Sequence, residues 1–531
     1  MHSKKFLPYL FSAVLLALLT QQLSQSQETN RTPGKIYPHR WVYVRNSLNS
    51  DAQLTAFENV ARTAAAHGLN GILLAGGLDS FDLRPPEYAV RLQKAKTIAE
   101  TLRMEIIPAV FGPGYGGAIL AHDRNLAAGL PVRGALFLAG ASEAKFQQDS
   151  PEGLGDLGLG ALEFDMSKKP ARVVKEIRVR PYRSYRLRMR VKTESIAPRT
   201  LFSIRAIIGN NRDMARFEPE LPATGDWKEY TGAFNSWFSD RVTLQIGSGE
   251  RGSGRYWVDR LSVEEVGLMN VVRRNGTPVV VRDEKTATVF EEGRDYEVIS
   301  DPNLTFKWDH DMPVIRLMKN TRIAPGTRLR VDYFHGTTVY RDQVNVCMSE
   351  DKLYEIWGAQ IPLIEKHLTP KRYFFNMDEI RIGGHCEACK KRKLSMAQIL
   401  GDNVTRAYNL VRKQNPKAEI FIWSDMFDPN HNARNEYYMV DGDYTGSWNY
   451  IPKDMVIACW YHTRRDASLA HFSGLGFRTF AGAYYDADTL ENPKGWLESL
   501  DRTPHAIGIM YTTWQQKYGL LADFGDLVSK R

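Results

Sequence analysis

Hydrophobic and polar positions follow two alternating patterns over the first hundred residues beyond the N-terminal segment. Residues 41–45, 71–74 and 104–111 are short apolar runs of the kind that form buried strands. Residues 51–67, headed by an aspartate as the expected cap, and 87–102 have apolar side chains at helical spacing between them. The succession strand, helix, strand, helix, strand predicts parallel βαβ units.

The pattern changes between about residues 154 and 334, where the sequence predicts no long amphipathic helix. Short runs alternate apolar and polar side chains and are separated by turn residues such as ATGD at 223–226. This pattern is typical of an antiparallel β-sandwich, followed from about residue 270 by a second β-rich unit. The clearest alternating runs are 185–191, 201–208, 242–246 and 255–263.

The alternation of strands and long helices resumes near residue 344. Three predicted strands before the insertion and five after it make eight, so the predicted fold class is α/β: a (β/α)8 TIM barrel interrupted after its third strand by β-sandwich-like modules. The later strands are expected at 372–377, 419–423, 455–460, 477–484 and 507–512. The predicted divisions are a signal peptide (1–27), the first barrel part (38–150), an inserted sandwich (151–265), a second small β-rich module (266–340) and the second barrel part (341–531).

The N-terminal segment has the layout of a secretory signal peptide. Lys4 and Lys5 precede an apolar run at 6–19, and polar residues follow at 20–27. The run is short for a membrane span, and no later stretch is apolar enough to cross a bilayer. We therefore expect a secreted or periplasmic protein without a membrane span once the signal is removed.

Composition and charge narrow the class of partner. Hydrophobic residues make up 43% and charged residues 25% of the 531 positions, which is the usage of a globular protein. The formal net charge of +9 comes from basic residues spread along the chain, and no nucleic-acid-binding motif accompanies them. We expect no nucleic-acid partner.

The four cysteines give little sign of a metal centre. Cys386 and Cys389 form a C-x-x-C pair, whereas Cys347 and Cys459 stand alone. A structural zinc site normally has two such pairs at close spacing. The sequence therefore predicts no metal site and no cofactor, and it favours a local Cys386–Cys389 disulfide in an oxidising compartment.

The C-terminal ends of the barrel strands are the places to look for chemistry, because active sites of this fold lie there. Asp378 and Glu379 follow the fourth predicted strand and form the candidate catalytic pair. Two carboxyls in one site raise the pKa of one of them, which can then act as a general acid. The competing interpretation is a structural pair that caps a helix or binds Arg381 or Arg372. The other residues at these ends, expected to bind substrate, are Arg45, Tyr115, Trp423, Asp425, Trp460, His462, Tyr484, Tyr485, Asp486 and Trp514.

Carboxylates and aromatic rings at one rim favour a sugar pocket, since carboxylates move protons and aromatic faces hold sugar rings. The expected partner is an oligosaccharide or glycoconjugate. Two further interpretations stay open: a conventional two-carboxylate glycosidase that pairs Glu379 with Asp425 or Asp486, and a non-catalytic glycan-binding protein on a degenerate barrel.

The end of the fourth predicted strand (FFNMDE, 374–379) resembles the catalytic domain of family 20 glycoside hydrolases, the β-N-acetylhexosaminidases. That family typically has His-x-Gly-Gly-Asp-Glu there. The resemblance extends to Arg45 after the first strand, to Tyr484 or Tyr485 after the seventh and to Trp514 after the eighth. It covers residues 40–117 and 343–531, with two departures: the histidine and both glycines of the motif are missing, and Tyr115 stands where the family's Pro-Gly-His has histidine.

The resemblance implies an exo-acting hydrolase of 2-acetamido sugars with substrate-assisted, retaining catalysis. Asp378 would orient the acetamido group that attacks the anomeric carbon, and Glu379 would protonate the leaving oxygen. The insertion resembles a carbohydrate-binding β-sandwich, in which Trp227, Trp237 and Trp257 either form a stacking platform or belong to the core.

Overall fold

The structure is a computed structural model that describes residues 34–151, 154–158, 160–168, 171–209 and 211–531. The predicted signal peptide at 1–27 lies outside these residues. None of the helices within the described ranges is long and apolar enough to cross a membrane.

Eight parallel strands form a closed barrel in which the eighth strand pairs with the first. Extra sheet-rich units accompany the barrel, so the prediction of an α/β fold with a barrel and additional β-domains is confirmed. The barrel strands are β1 (His39–Arg45), β2 (Gly71–Ala75), β3 (Glu105–Val110), β4 (Arg372–Phe375), β5 (Glu419–Trp423), β6 (Val456–Cys459), β7 (Arg478–Tyr484) and β8 (Ala506–Thr512).

Helices connect the barrel strands, and their caps explain where two of them begin. Ser50, rather than the expected Asp51, is the N-cap of the first helix, because its hydroxyl accepts the backbone N–H of Gln53. Ser395 and Gln398 form a reciprocal capping box at the start of a later helix. The helices are α1 (Asp51–Ala66), α2 (Pro86–Thr101), α3 (Gly117–Leu120), α4 (Asp351–Leu368), α5 (Glu387–Lys391), α6 (Met396–Gln414), α7 (Arg465–Gly474), α8 (Glu491–Asp501) and α9 (Leu521–Ser529).

The barrel has an inner and an outer core because successive side chains of a strand point to opposite sides of the sheet. Inside the barrel, the rings of Phe421 and Phe480 lie 4.6 and 4.7 Å from that of Trp41. Outside it, buried side chains of the strands pack against the helices. These aromatic side chains fill the interior of the barrel below the carboxyl ends of the strands.

Between β3 and β4 the chain includes two antiparallel sheets that share a core. Leu187 and Tyr256 of one sheet belong to the same buried cluster as Ile204 and Leu244 of the other. One sheet has the order Arg212–Phe217, Ser203–Ile208, Arg241–Ser248, Ala171–Arg178. The other has the order Gly225–Asn235, Ser184–Ala197, Ser253–Val266, Gly155–Asp156, and Leu162–Asp165 also pairs with Ser253–Val266.

A six-stranded sheet corrects one predicted boundary. The strands Leu130–Ala139 and Glu143–Phe146, which the sequence assigned to the first barrel part, pair instead within the β-rich unit that follows the sandwich. Pairing of Leu130–Ala139 with Arg328–His335 buries Phe137 beside Leu329 in that unit's own core. The sheet order is Val289–Phe290, Val280–Asp283, Arg328–His335, Leu130–Ala139, Glu143–Phe146, Ile315–Arg316.

Candidate active site at the carboxyl end of the barrel

The loop after β4 brings Asp378 and Glu379 to the rim in a strained conformation. Glu379 has a positive φ of 52°, which costs a residue with a side chain about 1–2 kcal/mol. Its backbone N–H donates to Oδ2 of Asp425, from the end of β5, at 2.9 Å. This hydrogen bond fixes the turn and draws a third carboxyl to the pair.

Asp425 is fully buried beneath this turn. Its Oδ2 also accepts a hydrogen bond from Nδ2 of Asn432 at 2.8 Å, and its Oδ1 lies 3.4 Å from the indole N–H of Trp460. The pKa of Asp425 is raised to about 7, mainly by burial and also by the negative charge of Glu379, against the hydrogen bonds that lower it. Asp425 can therefore hold a proton at neutral pH.

Asp378 shares this electrostatic environment. Burial raises its pKa well above the usual range, and the charges of Asp425 and Glu379 act in the same direction. Protons on carboxyls that interact this strongly belong to the set rather than to one residue. Asp378 and Asp425 thus retain a proton between them near neutrality, beside Glu379.

Glu379 itself is bound by a cation and a hydroxyl. Nη2 of Arg381 lies 2.8 Å from its Oε1, and the Tyr115 hydroxyl donates to its Oε2. The Arg381 side chain is only 5% exposed, and its guanidinium lies 4.3 Å from the ring centroid of Tyr340. The predicted structural interpretation, a pair with Arg381, is thus present.

Two polar side chains that the sequence analysis did not select hold this loop. Gln343 donates through Nε2 to the carbonyl oxygen of Glu379 at 2.8 Å and accepts from Arg381. Oδ1 of Asn345 accepts the backbone N–H groups of Arg381 and Ile382, at 3.1 and 2.8 Å. Gln343 and Asn345 lie outside helices and strands, so no periodic pattern in the sequence marks them as buried. Only the tertiary structure shows that their amides hold the loop after β4.

Aromatic side chains line the space beside the carboxyls. The rings of Trp460 and Tyr485 are nearly parallel, with centroids 6.0 Å apart, and Tyr485 is 49% exposed. Trp514 lies 6.0 Å from Trp423 and 6.2 Å from Trp460. Four of the predicted binding residues therefore meet in one wall that adjoins Asp425 through the Trp460 indole.

Two other predicted residues point elsewhere. Tyr484 is 2% exposed and stacks on Tyr511 at 4.0 Å in the outer core, whereas its neighbour Tyr485 is exposed. His462 begins a short 3-10 turn and lies 6.1 Å from Trp496 of α8, where burial lowers its pKa. Both pack on the side of the helices and lie apart from the carboxyls.

Asp486 and Arg45 both lie at the rim, but Asp486 is hydrogen-bonded to a loop whereas the Arg45 side chain is exposed. The Asp486 carboxylate accepts the Trp514 backbone N–H at 2.9 Å and the Thr513 hydroxyl, so it holds the loop after β8 in place. Arg45 is exposed at the end of β1, and its backbone oxygen accepts from Nε2 of Gln516 at 3.2 Å. Its guanidinium has no ion pair among the described residues and is free to meet a ligand.

Asp79 is a buried carboxyl that sequence reasoning missed. It accepts the backbone N–H groups of Phe111 and Gly112 at distances of 2.8 to 3.2 Å, and burial raises its pKa to about 6. Phe111 has a positive φ of 62°. Asp79 therefore holds the turn after β3 that leads to Tyr115.

Three cysteines lie together, contrary to the sequence interpretation. Sγ of Cys347, which was treated as isolated, lies 3.4 Å from Sγ of Cys386 and 3.8 Å from that of Cys389. The expected Cys386–Cys389 disulfide is not formed, since its sulfurs are 3.6 Å apart and all three thiols are free. Such a group is able to hold a metal ion.

The tryptophans of the insertion do not form one platform. Trp237 is 7% exposed and packs against His385, 4.9 Å away, and Arg212. Trp227 and Trp257 lie elsewhere, each beneath a basic side chain of the strand Ser184–Ala197.

No family model matches the sequence, and no curated protein is significantly similar to it. Solved structures with some similarity include a β-N-acetylhexosaminidase from Bacteroides fragilis (9% identity, 92% of this chain and 66% of that one, TM-score 0.38). A family 20 exo-β-N-acetylglucosaminidase from Vibrio harveyi has 9% identity over 93% of this chain and 54% of that one, with a TM-score of 0.38. A pyruvate kinase from Cryptosporidium parvum has 9% identity over 97% of this chain and 70% of that one, with a TM-score of 0.32.

The chain thus spans between half and two thirds of the length of both hexosaminidase structures. All three TM-scores are below 0.5, and the three proteins include a kinase as well as glycosidases. The assignment of a function therefore depends on the site in this chain.

Proposed function

We propose that the protein is an exported glycoside hydrolase that acts on 2-acetamido sugars at chain ends. The observation that carries the proposal is the carboxyl set of Asp378, Glu379 and Asp425, which retains a proton near neutrality at the open end of the barrel. The wall of aromatic rings beside it supplies faces on which a sugar ring can stack. Glycoside hydrolases use carboxyl groups as general acid and base next to the bound sugar ring.

In the proposed mechanism the acetamido oxygen of the substrate attacks the anomeric carbon. Asp378 orients the acetamido group, and Glu379 protonates the departing glycosidic oxygen and then deprotonates the water that resolves the intermediate, with retention of configuration. Arg381 and Tyr115 both bind the Glu379 carboxyl group, so they hold it in one position through both proton transfers. Tyr115 here takes the place that histidine has in the family this sequence resembles.

A second candidate is a two-carboxylate glycosidase with Asp425 as the acid. Its specific support is the pKa of about 7 that burial gives Asp425, which suits a general acid at neutral pH. In that mechanism the acetamido group is dispensable. Plain glycosides would be cleaved as readily as 2-acetamido glycosides.

The test is hydrolysis of paired aryl β-glycosides, with and without the 2-acetamido group, by the wild type and Glu379→Gln. The matched control is Glu355→Gln, an exposed glutamate on α4. Cleavage confined to 2-acetamido sugars and lost by a factor of about 10² or more in Glu379→Gln alone supports the proposal. Cleavage of both series moves the assignment to the two-carboxylate mechanism. Binding of glycans without any cleavage makes the protein a glycan-binding protein.

Export is a separate part of the proposal and depends on the sequence of residues 1–27. Expression of the full chain in a Gram-negative host, followed by cell fractionation and N-terminal sequencing, tests it. Recovery of a shortened chain from the periplasm supports export, and retention of an intact chain in the cytoplasm contradicts it.

A further inference from the structure

Three thiols from two separate segments converge, and one of these segments follows the candidate catalytic pair along the chain. Cys347 lies just before α4, and Cys386 and Cys389 lie at the start of α5. Their three Sγ–Sγ distances are 3.4, 3.6 and 3.8 Å, and all three side chains are buried. The distances describe a nearly equilateral triangle of sulfur atoms.

This triangle has the dimensions of a tetrahedral thiolate site. Thiolates bind zinc at about 2.3 Å, and two ligands of a tetrahedron at that bond length lie about 3.8 Å apart. A disulfide would instead bring one pair of sulfurs to about 2.05 Å and leave the third thiol without a partner. The near equality of the three distances favours a shared ion over a covalent pair.

A small cavity adjoins the three sulfur atoms. Its volume is about 10 Å³, and its lining includes all three cysteines together with His385 and Met348. That volume suits a single occupant about the size of a water molecule or an ion. The hydroxyl of Ser349 is buried and interacts with Cys389.

A buried cation beside such a site offsets part of its charge. Three thiolates and one divalent ion carry a net charge of −1, which is costly to bury without compensation. The Arg274 guanidinium interacts electrostatically with Cys347 and Cys386, and its buried Nη2 has no hydrogen-bond partner among the described residues. Arg274 also pairs with Glu350 at 2.8 Å, which fixes it in this position.

We propose that Cys347, Cys386 and Cys389 bind a zinc ion that ties together the two segments supporting the catalytic loop. Two residues before Cys347, the Asn345 side chain accepts the backbone N–H groups of Arg381 and Ile382. Four residues after Ile382, the same chain reaches Cys386. The ion connects these contacts into one closed loop, and we assign it a structural role because it joins two segments of the fold. The three cysteines supply three ligands of the tetrahedron, and the Ser349 hydroxyl or a water molecule supplies the fourth. Binding releases the protons of the thiols to solvent.

The experiment measures zinc in the full-length protein purified without chelator or reductant. We expect about one zinc per chain, and a decrease of at least tenfold in each of Cys347→Ser, Cys386→Ser and Cys389→Ser. Cys459→Ser is the matched control, because Cys459 is an equally buried thiol at the end of β6 and outside the cluster. It should retain the metal of the wild type.

Replacement of the ion by cobalt provides a readout that does not depend on the folding of variants. The cobalt-loaded wild type should show thiolate-to-metal charge-transfer absorption and the visible bands of a tetrahedral ion. Mass spectrometry of the denatured, unreduced protein should find all four thiols free after chelation. Absence of metal together with a disulfide between two of the three cysteines would overturn the proposal, as would full zinc content in all three variants.

Discussion

Replacing Asp425 by asparagine tests the electrostatics of the carboxyl set directly. The substitution keeps the size of the side chain, and the amide oxygen can still accept the backbone N–H of Glu379 and the Nδ2–H of Asn432. It removes the one property at issue, which is the ability to ionise. We expect the variant to lose a pH dependence of stability that the wild type has.

The sign and size follow from the pKa. An aspartate ionises near 3.8 in the unfolded chain, whereas folding raises the pKa of Asp425 to about 7. Between these pH values the folded state binds more protons, so the stability present below pH 3.8 is lost as the pH rises towards 7. A shift of about three pH units corresponds to about 4 kcal/mol, which is an upper limit because Asp425 and Asp378 titrate as a set.

Urea unfolding at 25 °C, followed by tryptophan fluorescence between pH 4 and pH 8, measures this effect. The free energy of unfolding of Asp425→Asn minus that of the wild type should increase by up to about 4 kcal/mol over this range. Asp488→Asn, an exposed aspartate on the loop after β7, should follow the wild type at each pH. A difference between Asp425→Asn and the wild type that stays constant within about 1 kcal/mol would refute the assignment of the shared proton.

Three further substitutions test other parts of the site. Gly114→Ala would place a Cβ 1.9 Å from the carbonyl oxygen of Asp378, so hydrolysis should fall about 100-fold, whereas Gly117→Ala, with nothing within 4 Å, should leave it unchanged. Trp460→Ala removes one ring of the wall and should raise KM by roughly 5- to 30-fold, for a loss of about 1–2 kcal/mol, while a larger effect on kcat than on KM would contradict a stacking role. Arg381→Met leaves the half-buried Glu379 carboxylate without its cation and should lower the free energy of unfolding by about 3 kcal/mol. Thermal or urea denaturation measures this change, and unchanged stability would contradict a stabilising ion pair.

The barrel could be predicted from the sequence because each strand and helix carries its own local pattern. The apolar run that became β5 was predicted with the bounds found in the structure, and the other barrel strands differ by a few residues at their ends. The strand Leu130–Ala139 was not predicted as part of the second β-rich unit, because its partner, Arg328–His335, lies about 190 residues away. Pairing over such a distance leaves no local signal.

The carboxyl and aromatic residues at the strand ends could be predicted by the rule that active sites of barrels lie there. The directions of side chains could not: Tyr484 and Tyr485 are neighbours, yet one is 2% and the other 49% exposed. Positive φ values at both residues bend the chain as β7 ends, and a sequence contains no measure of that bend. Asp79 and Asn345 were missed for a related reason, since each acts through backbone groups of a distant loop.

The segment 378–389 explains why the carboxyl pair and the thiols belong to one structural unit. Glu379 needs a left-handed backbone to reach Asp425, and that strain persists only if the following residues are held firmly. Gln343 and Asn345 hold them from one side through hydrogen bonds, and the C-x-x-C turn holds them from the other beside Cys347. Because Cys347 follows Asn345 by only two residues, the hydrogen bonds and the thiol contact both come from the segment 343–347. The half-buried Asp378 and Glu379 therefore lie on a loop that is anchored at both ends.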